Sequence, residues 1–160
     1  MIPRIGFGFD THRLEEGHIL RIGGVSVPSP RGSLGHSDGD VLIHAIIDAL
    51  LGAAGLRDIG FHFPDTDEKY RGADSRELLA ETLVLIRREG FTIGNLDTTV
   101  ALQSPRLSEK IPEMKDVLCE ILQIDTARLS IKAKTGEKIG FIGRQEGISA
   151  YAVVLLISLT

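Results

Sequence analysis

The chain has 160 residues, 42% of them hydrophobic, with a formal net charge of −4 and a pI near 5.7. That is enough apolar material for one full core, and the acidic balance excludes the broad basic surface that duplex nucleic acid requires. With no tryptophan and two tyrosines, a stacking platform for single strands is excluded as well, so no nucleic-acid partner is expected.

No composition shift or Pro/Ser-rich linker divides the sequence, which predicts a single domain over 1–160. No charged-then-apolar leader opens it, and its longest apolar run is shorter than the roughly 20 residues that span a bilayer. A soluble, cytoplasmic protein without a membrane partner is expected. The only cysteine, Cys119, lies in an apolar helical pattern and reads as a small core residue.

Residues 5–12 alternate in polarity and read as a strand. Residues 19–22 and 25–27 flank Gly23-Gly24, a two-residue hairpin turn by composition. Residues 28–35, rich in Pro, Ser and Gly, read as a loop, after which Ser37 or Asp38 can cap a helix from about Asp40 to Ala54, stopped by Gly55. The stretch 56–73 shows no periodicity, and aperiodic connections of that length are usually functional or mobile. Asp74, with Glu77 in a capping-box position, starts a second helix over 75–89 that Gly90 ends. A strand over 96–102, a helix over 112–122 with proline in its first turn, a strand over 129–133 and a final apolar element over 148–159 complete the chain.

The run from Ala150 to Ile157 does not alternate, so its strand is apolar on both faces. Three helices cover one face of a four- or five-stranded sheet, and identical subunits are the simplest cover for the other. The expected fold is therefore α/β (α+β), a mixed four- to five-stranded sheet with helices on one face, in a homo-oligomer. A two-sheet sandwich within one chain is the alternative.

Asp10 and His12 leave the same face of their strand with backbones roughly 6.6 Å apart, close enough to share an ion. With His44 they make two imidazoles and a carboxylate, a donor set that suits catalytic zinc with an open fourth position. Asp40 and Asp48 stand one helical turn either side of His44, where they can orient its ring. An amphipathic helix with a polar stripe is the blander reading of the same spacing. His36 and Ser37 precede this helix, where backbone amides can meet an anion. In Lys132-Ala133-Lys134-Thr135-Gly136-Glu137-Lys138, Glu137 can ligate a hard ion such as Mg²⁺. His18 and His62 lack such neighbours and read as ordinary histidines.

Several motifs follow in order: residues 4–13 (Arg-Ile-Gly-Phe-Gly-Phe-Asp-Thr-His-Arg), His36-Ser37-Asp38-Gly39-Asp40 with His44, Asp58-Ile59-Gly60, Phe63-Pro64-Asp65-Thr66-Asp67, Gly72-Ala73-Asp74-Ser75, and Glu137-Lys138-Ile139-Gly140-Phe141 with Gly143-Arg144 and Glu146-Gly147. Together they resemble the 2-C-methyl-D-erythritol 2,4-cyclodiphosphate synthase family of the non-mevalonate isoprenoid pathway, over nearly the whole chain.

The resemblance implies a homotrimer with its sheets around a threefold axis and active sites between subunits. It implies a CMP-releasing phosphorus–oxygen lyase acting on a small diphosphocytidyl substrate. Asp10, His12 and His44 would bind Zn²⁺, and Glu137 a second ion, Mg²⁺ or Mn²⁺. His36 and Thr135 match the family's transition-state stabilisers. Asp58, Ile59 and Gly60, with Phe63, Pro64, Asp65, Thr66 and Asp67, would hold the erythritol part; His36 and Ser37 would touch the phosphates. Leu102, Gln103, Ser104, Pro105, Arg106, Leu107 and Ser108, with Lys134, Thr135, Gly136 and Glu137, would hold the cytidine diphosphate. Asp10, Thr11, His12, Phe141 and Arg144 complete the expected substrate contacts.

The sequence departs from the family pattern at Lys134, which often is threonine, and at Arg106, which often is lysine. Phe7 and Phe9 would face a central channel where Arg144 and Glu146 resemble residues that bind isoprenoid diphosphates in some members. Two rival readings are a zinc-dependent phosphoesterase and a non-catalytic isoprenoid- or nucleotide-binding trimer.

Overall fold

The computed structural model describes residues 2–159. Strand β1 (Arg4–Glu16) is longer than its alternation predicts, because its far end finds a partner. That partner is a correction: within 28–35, expected as a loop, Arg31–Leu34 forms a strand that pairs antiparallel with the end of β1. Pro28, Pro30 and Gly32 give this segment no strand propensity of its own, so the exposed edge of β1 imposes its conformation. Between them the hairpin strands β2 (Leu20–Ile22) and β3 (Val25–Val27) form as expected around Gly23 and Gly24, both at positive φ; Arg31–Leu34 is β4.

Helix α1 (Val41–Ala54) starts one residue later than expected, and its cap is Asp40 rather than Ser37 or Asp38. The Asp40 carboxylate is wholly buried and accepts the N–H groups of Ile43, Gly23 and Gly24 at 3.0, 2.9 and 2.7 Å. It therefore caps the helix and clamps the β2–β3 turn onto it. Gly55, at φ 77°, ends α1 in the left-handed conformation.

The aperiodic stretch after α1 holds a one-turn helix α2 (Ile59–His62) and a single tight turn at Glu68–Tyr70, capped by Asp58 and Asp67. Helix α3 (Ser75–Arg88) begins at Asp74 as read; strand β5 (Phe91–Ala101) starts five residues earlier than expected. Helix α4 (Ile111–Leu122), strand β6 (Leu129–Lys134), a one-turn helix α5 (Gly140–Gly143) and strand β7 (Gly147–Ser158) follow.

Among the described residues one five-stranded mixed sheet results, in the order β4-β1-β7-β5-β6, with β5 and β6 parallel and the other pairs antiparallel. The two-sheet sandwich is thereby overturned, since β2 and β3 form only a small ribbon. Helix α1 packs on β1 and β7, burying Ile148, Ala150, Ala152, Val154 and Leu156 of the central strand. Residues on the opposite face stay exposed, Ile5, Phe7 and Phe9 of β1 beside Val153 and Tyr151 of β7, with Leu155 half-buried opposite Ile5, and form a continuous apolar surface. No helix among the described residues is long and apolar enough to cross a membrane.

The approach of α1 to β1 is set by two glycines. A Cβ on Gly6 would overlap the Ala49 carbonyl, and one on Gly8 the Ala45 carbonyl. The four-residue step on the helix, about 6 Å, matches the two-residue step on the strand, about 6.6 Å, so the elements run antiparallel in register. Extending that register by one step brings the start of α1 over Asp10 and His12. We expect Gly8→Ala to destabilise the protein by roughly 1–3 kcal/mol in urea unfolding and to weaken divalent-metal binding, because α1 must move outward. Wild-type stability and metal affinity in that variant would contradict this account.

Candidate metal centre

Gly6, Gly8, Asp10 and His12 share the helix-facing side of β1, so the pattern that admits α1 also aims Asp10 and His12 at it. His44, on the first turns of α1, meets them there. Asp10 Oδ2 lies 2.8 Å from His12 Nε2 and 2.9 Å from His44 Nδ1, and the two ring nitrogens are 3.2 Å apart. The edge of a tetrahedron with metal–ligand bonds of about 2.05 Å is about 3.3 Å, so one divalent ion fits this triangle with small adjustments. The three ligands predicted from sequence are brought together.

Each imidazole is held from behind. His12 donates its Nδ1–H to the Leu34 carbonyl of β4 at 3.0 Å, which makes Nε2 the nitrogen turned to Asp10 and His44. His44 Nε2 lies 2.9 Å from Ser75 Oγ and 3.0 Å from Ser37 Oγ. Ser75 in turn hydrogen-bonds Asp38. Spacing pointed to Asp40 and Asp48 as the partners of this ring, and the structure corrects that: Asp40 is spent on the hairpin turn, and Asp48 accepts from Ile59 N at 2.8 Å. Leu34, Ser75 and the role of Asp38 were missed, since their contacts join segments distant in sequence.

Burial pushes the Asp10 carboxyl up, but hydrogen bonds and charge from His12 and His44 outweigh it and hold the group well below the usual carboxylate range. Burial works against a charged His12, yet the bond to Asp10 raises it above the ordinary imidazole value.

A cavity of about 250 Å³ opens beside the triangle, lined by His12, His36, Ser37, His44, Ile59, Gly60, Phe63 and Asp65, joined by Tyr70 and Leu78. Asp58 and Asp67 are committed to capping Phe61 N and Lys69 N, while Pro64 is half-buried and Thr66 exposed beside them. A second cavity, also about 250 Å³, is lined by Leu102, Gln103, Pro105, Arg106, Leu107, Ser108, Lys134 and Thr135, with Ala133. Ser104 is exposed and precedes Pro105 through a cis peptide. Gly136 follows Thr135, whose hydroxyl donates to Glu137 Oε1 at 3.1 Å; among the described residues the Asp10 group does not include Glu137. Phe141 packs against Gly147, and Arg144 pairs with Glu146 at 2.8 Å.

The two cavities lie at the same end of the sheet. Thr11, Ser149, Ala101 and Lys134 stand side by side across β1, β7, β5 and β6, and Thr11 hydrogen-bonds Ser149 at 2.8 Å. Three strand spacings separate β1 from β6, about 14 Å.

This fold and site define a class: an α/β chain with two histidines and a carboxylate that could hold a metal ion at one end of its sheet, and a second cavity lined by residues after β5 and at the end of β6. The chain belongs to the YgbB family, whose model matches residues 3–157. It is 57% identical over 155 residues to the 2-C-methyl-D-erythritol 2,4-cyclodiphosphate synthase of Porphyromonas gingivalis, covering 97% of this chain and 96% of that protein. It is 54% identical over 153 residues to the synthase of Bacteroides fragilis, covering 96% of each. Among solved structures, the bifunctional IspDF of Campylobacter jejuni superposes with a TM-score of 0.94 at 43% identity, covering 98% of this chain and 42% of that one. A 2C-methyl-D-erythritol-2,4-cyclodiphosphate synthase in a CDP-bound form gives 0.90 at 40% identity, covering 96% of this chain and all of that one.

An ion entering the triangle must displace the proton that Asp10 favours on His12, so its binding strengthens as pH rises through the histidine range. Added zinc is expected to raise the unfolding temperature more at about pH 8 than at about pH 6. An equal rise at both would show that no such proton is displaced.

Proposed function

We propose that this chain converts 4-diphosphocytidyl-2-C-methyl-D-erythritol 2-phosphate to the cyclic 2,4-diphosphate with release of CMP, as a phosphorus–oxygen lyase of the non-mevalonate isoprenoid pathway. The observation that carries the proposal is the meeting of Asp10, His12 and His44 at one point beside a cavity. The names of the relatives and the CDP-bound form of a structural neighbour support the substrate class.

The reaction joins one phosphate oxygen of the substrate to another phosphorus, with CMP leaving, so no protein nucleophile is required and charge repulsion is the main obstacle. Asp10, His12 and His44 would hold Zn²⁺ and Glu137 a second ion, Mg²⁺ or Mn²⁺, which together supply charge neutralisation on the phosphates. His36 and Ser37 line the same cavity as the triangle and offer hydrogen bonds to phosphate oxygens. Thr135 lines the other cavity and would act alike toward the cytidine diphosphate, with Lys134 and Arg106 as nearby cations. Ile59, Gly60, Phe63 and Asp65 would fold the erythritol chain against the site, and that positioning lowers the barrier to intramolecular attack.

One subunit alone holds the two cavities apart across the sheet, with β1 and β6 about 14 Å from one another. A homotrimer with sheets around a threefold axis would set the triangle of one subunit beside the second cavity of its neighbour, and would bury the exposed face that includes Phe7, Phe9, Tyr151 and Val153. Phe9 and Tyr151 already stack there at 6.3 Å. Light scattering is expected to give the mass of three subunits, and Phe7→Asp to yield monomers that retain zinc but lose turnover. A fully active monomer would overturn the composite site.

The activity is tested by incubation with the diphosphocytidyl substrate and separate assays for CMP and the cyclic product. Both are expected to appear together, stop with chelator and return with zinc and Mg²⁺. CMP without cyclic product, or solvent oxygen incorporated into the phosphate, would instead make the protein a phosphoesterase.

A further inference from the structure

We propose that Asp38, acting through the hydroxyl of Ser75, is a positioning residue that fixes which nitrogen of His44 faces the metal triangle. The inference rests on the metal reading above and extends it to two residues that touch no ligand. Ser75 is wholly buried, and its Oγ sits between the Asp38 carboxylate and His44 Nε2. A carboxylate only accepts, so the Ser75 proton goes to Asp38. The carboxylate is itself fixed, since its oxygens accept Ser75 N at 3.0 Å and Asp40 N at 3.2 Å.

With its proton committed, Ser75 Oγ has only lone pairs to offer the histidine. The nitrogen facing it must carry the ring N–H, and a neutral imidazole has one. His44 Nδ1, which lies 2.9 Å from Asp10 Oδ2, is then the nitrogen left to offer its lone pair once an ion takes the place of that hydrogen bond, the state a metal ligand requires. Ser37 can share the same N–H, but among the described residues no carboxylate fixes its own proton, so it does not dictate the tautomer. The Asp38 charge also makes the ring a stronger donor, as partners behind metal-bound histidines generally do. Because Ser75 is the first residue of α3, the chain of bonds ties that helix to the site.

The test compares wild type, Ser75→Ala, Asp38→Asn, the double variant and Ser75→Thr. The readouts are zinc affinity by competition with a chromophoric chelator, the visible bands of bound cobalt, and urea unfolding of the metal-free proteins. Each single variant is expected to bind zinc about 10- to 100-fold more weakly and to alter the cobalt bands. The double variant should be no weaker than the weaker single, because the two residues act as one unit, and Ser75→Thr should recover most of the affinity. If Ser75→Ala does not fold without metal, Asp38→Asn, which keeps size and shape, carries the test. Unchanged zinc affinity in folded single variants, or losses that add in the double, would overturn the proposal, while a merely structural role would move only the unfolding curve. Wild-type protein that takes up no zinc would instead overturn the metal reading itself.

Discussion

The near contact of α1 with β1 at Gly6 and Gly8 is the constraint on which the site depends. Carbonyl groups of Ala49 and Ala45 occupy the space where side chains would stand, so the helix lies closer to this strand than any other residue pair would allow. That closeness lets His44 reach Asp10 and His12 through ordinary side-chain lengths. An extra methyl group at either glycine would act at a distance from the ligands, by lifting the element that carries one of them.

The start of α1 is held by a second device. Asp40 spends its carboxylate on three backbone N–H groups, two of them from the β2–β3 turn, and so locks the hairpin, the helix start and the site into one unit. The ligand triangle is then closed by partners from three further places: the Leu34 carbonyl on an edge strand, Ser37 ahead of the helix, and Ser75 at the head of α3. The Leu34 carbonyl orients His12, and the Ser75 hydroxyl, itself tied to Asp38, orients His44. The open side of the triangle gives onto a cavity, which is what distinguishes a site built to receive a ligand from a purely structural ion site.

Much of this was legible in the sequence because the relevant signals are local. Alternation placed Asp10 and His12 on one strand face, the Gly23-Gly24 pair marked the hairpin, and Asp74 and Gly55 marked helix ends. The apolar run of β7 gave notice of an uncovered face, and that face is exposed in the single chain. What failed was pairing at long range. Arg31–Leu34 becomes a strand only because β1 extends beside it, and Ser75 meets His44 across 31 positions of sequence. Helical spacing correctly put Asp40 and Asp48 next to His44 but could not show that backbone N–H groups claim both carboxylates. The alternating glycines of β1 carried a readable message, namely that a neighbour approaches closely, which a reading focused on hydrophobic pattern passes over.

The central claim is that the register of α1 on β1 makes one metal site from three side chains. Crystals grown with zinc and measured at its absorption edge test it most directly. The account predicts an anomalous peak bonded to Asp10 Oδ2, His12 Nε2 and His44 Nδ1, with the outer nitrogen of each ring still on Leu34 and Ser75. A zinc-bearing crystal with no peak there, or with His44 turned to bind through Nε2, would contradict it.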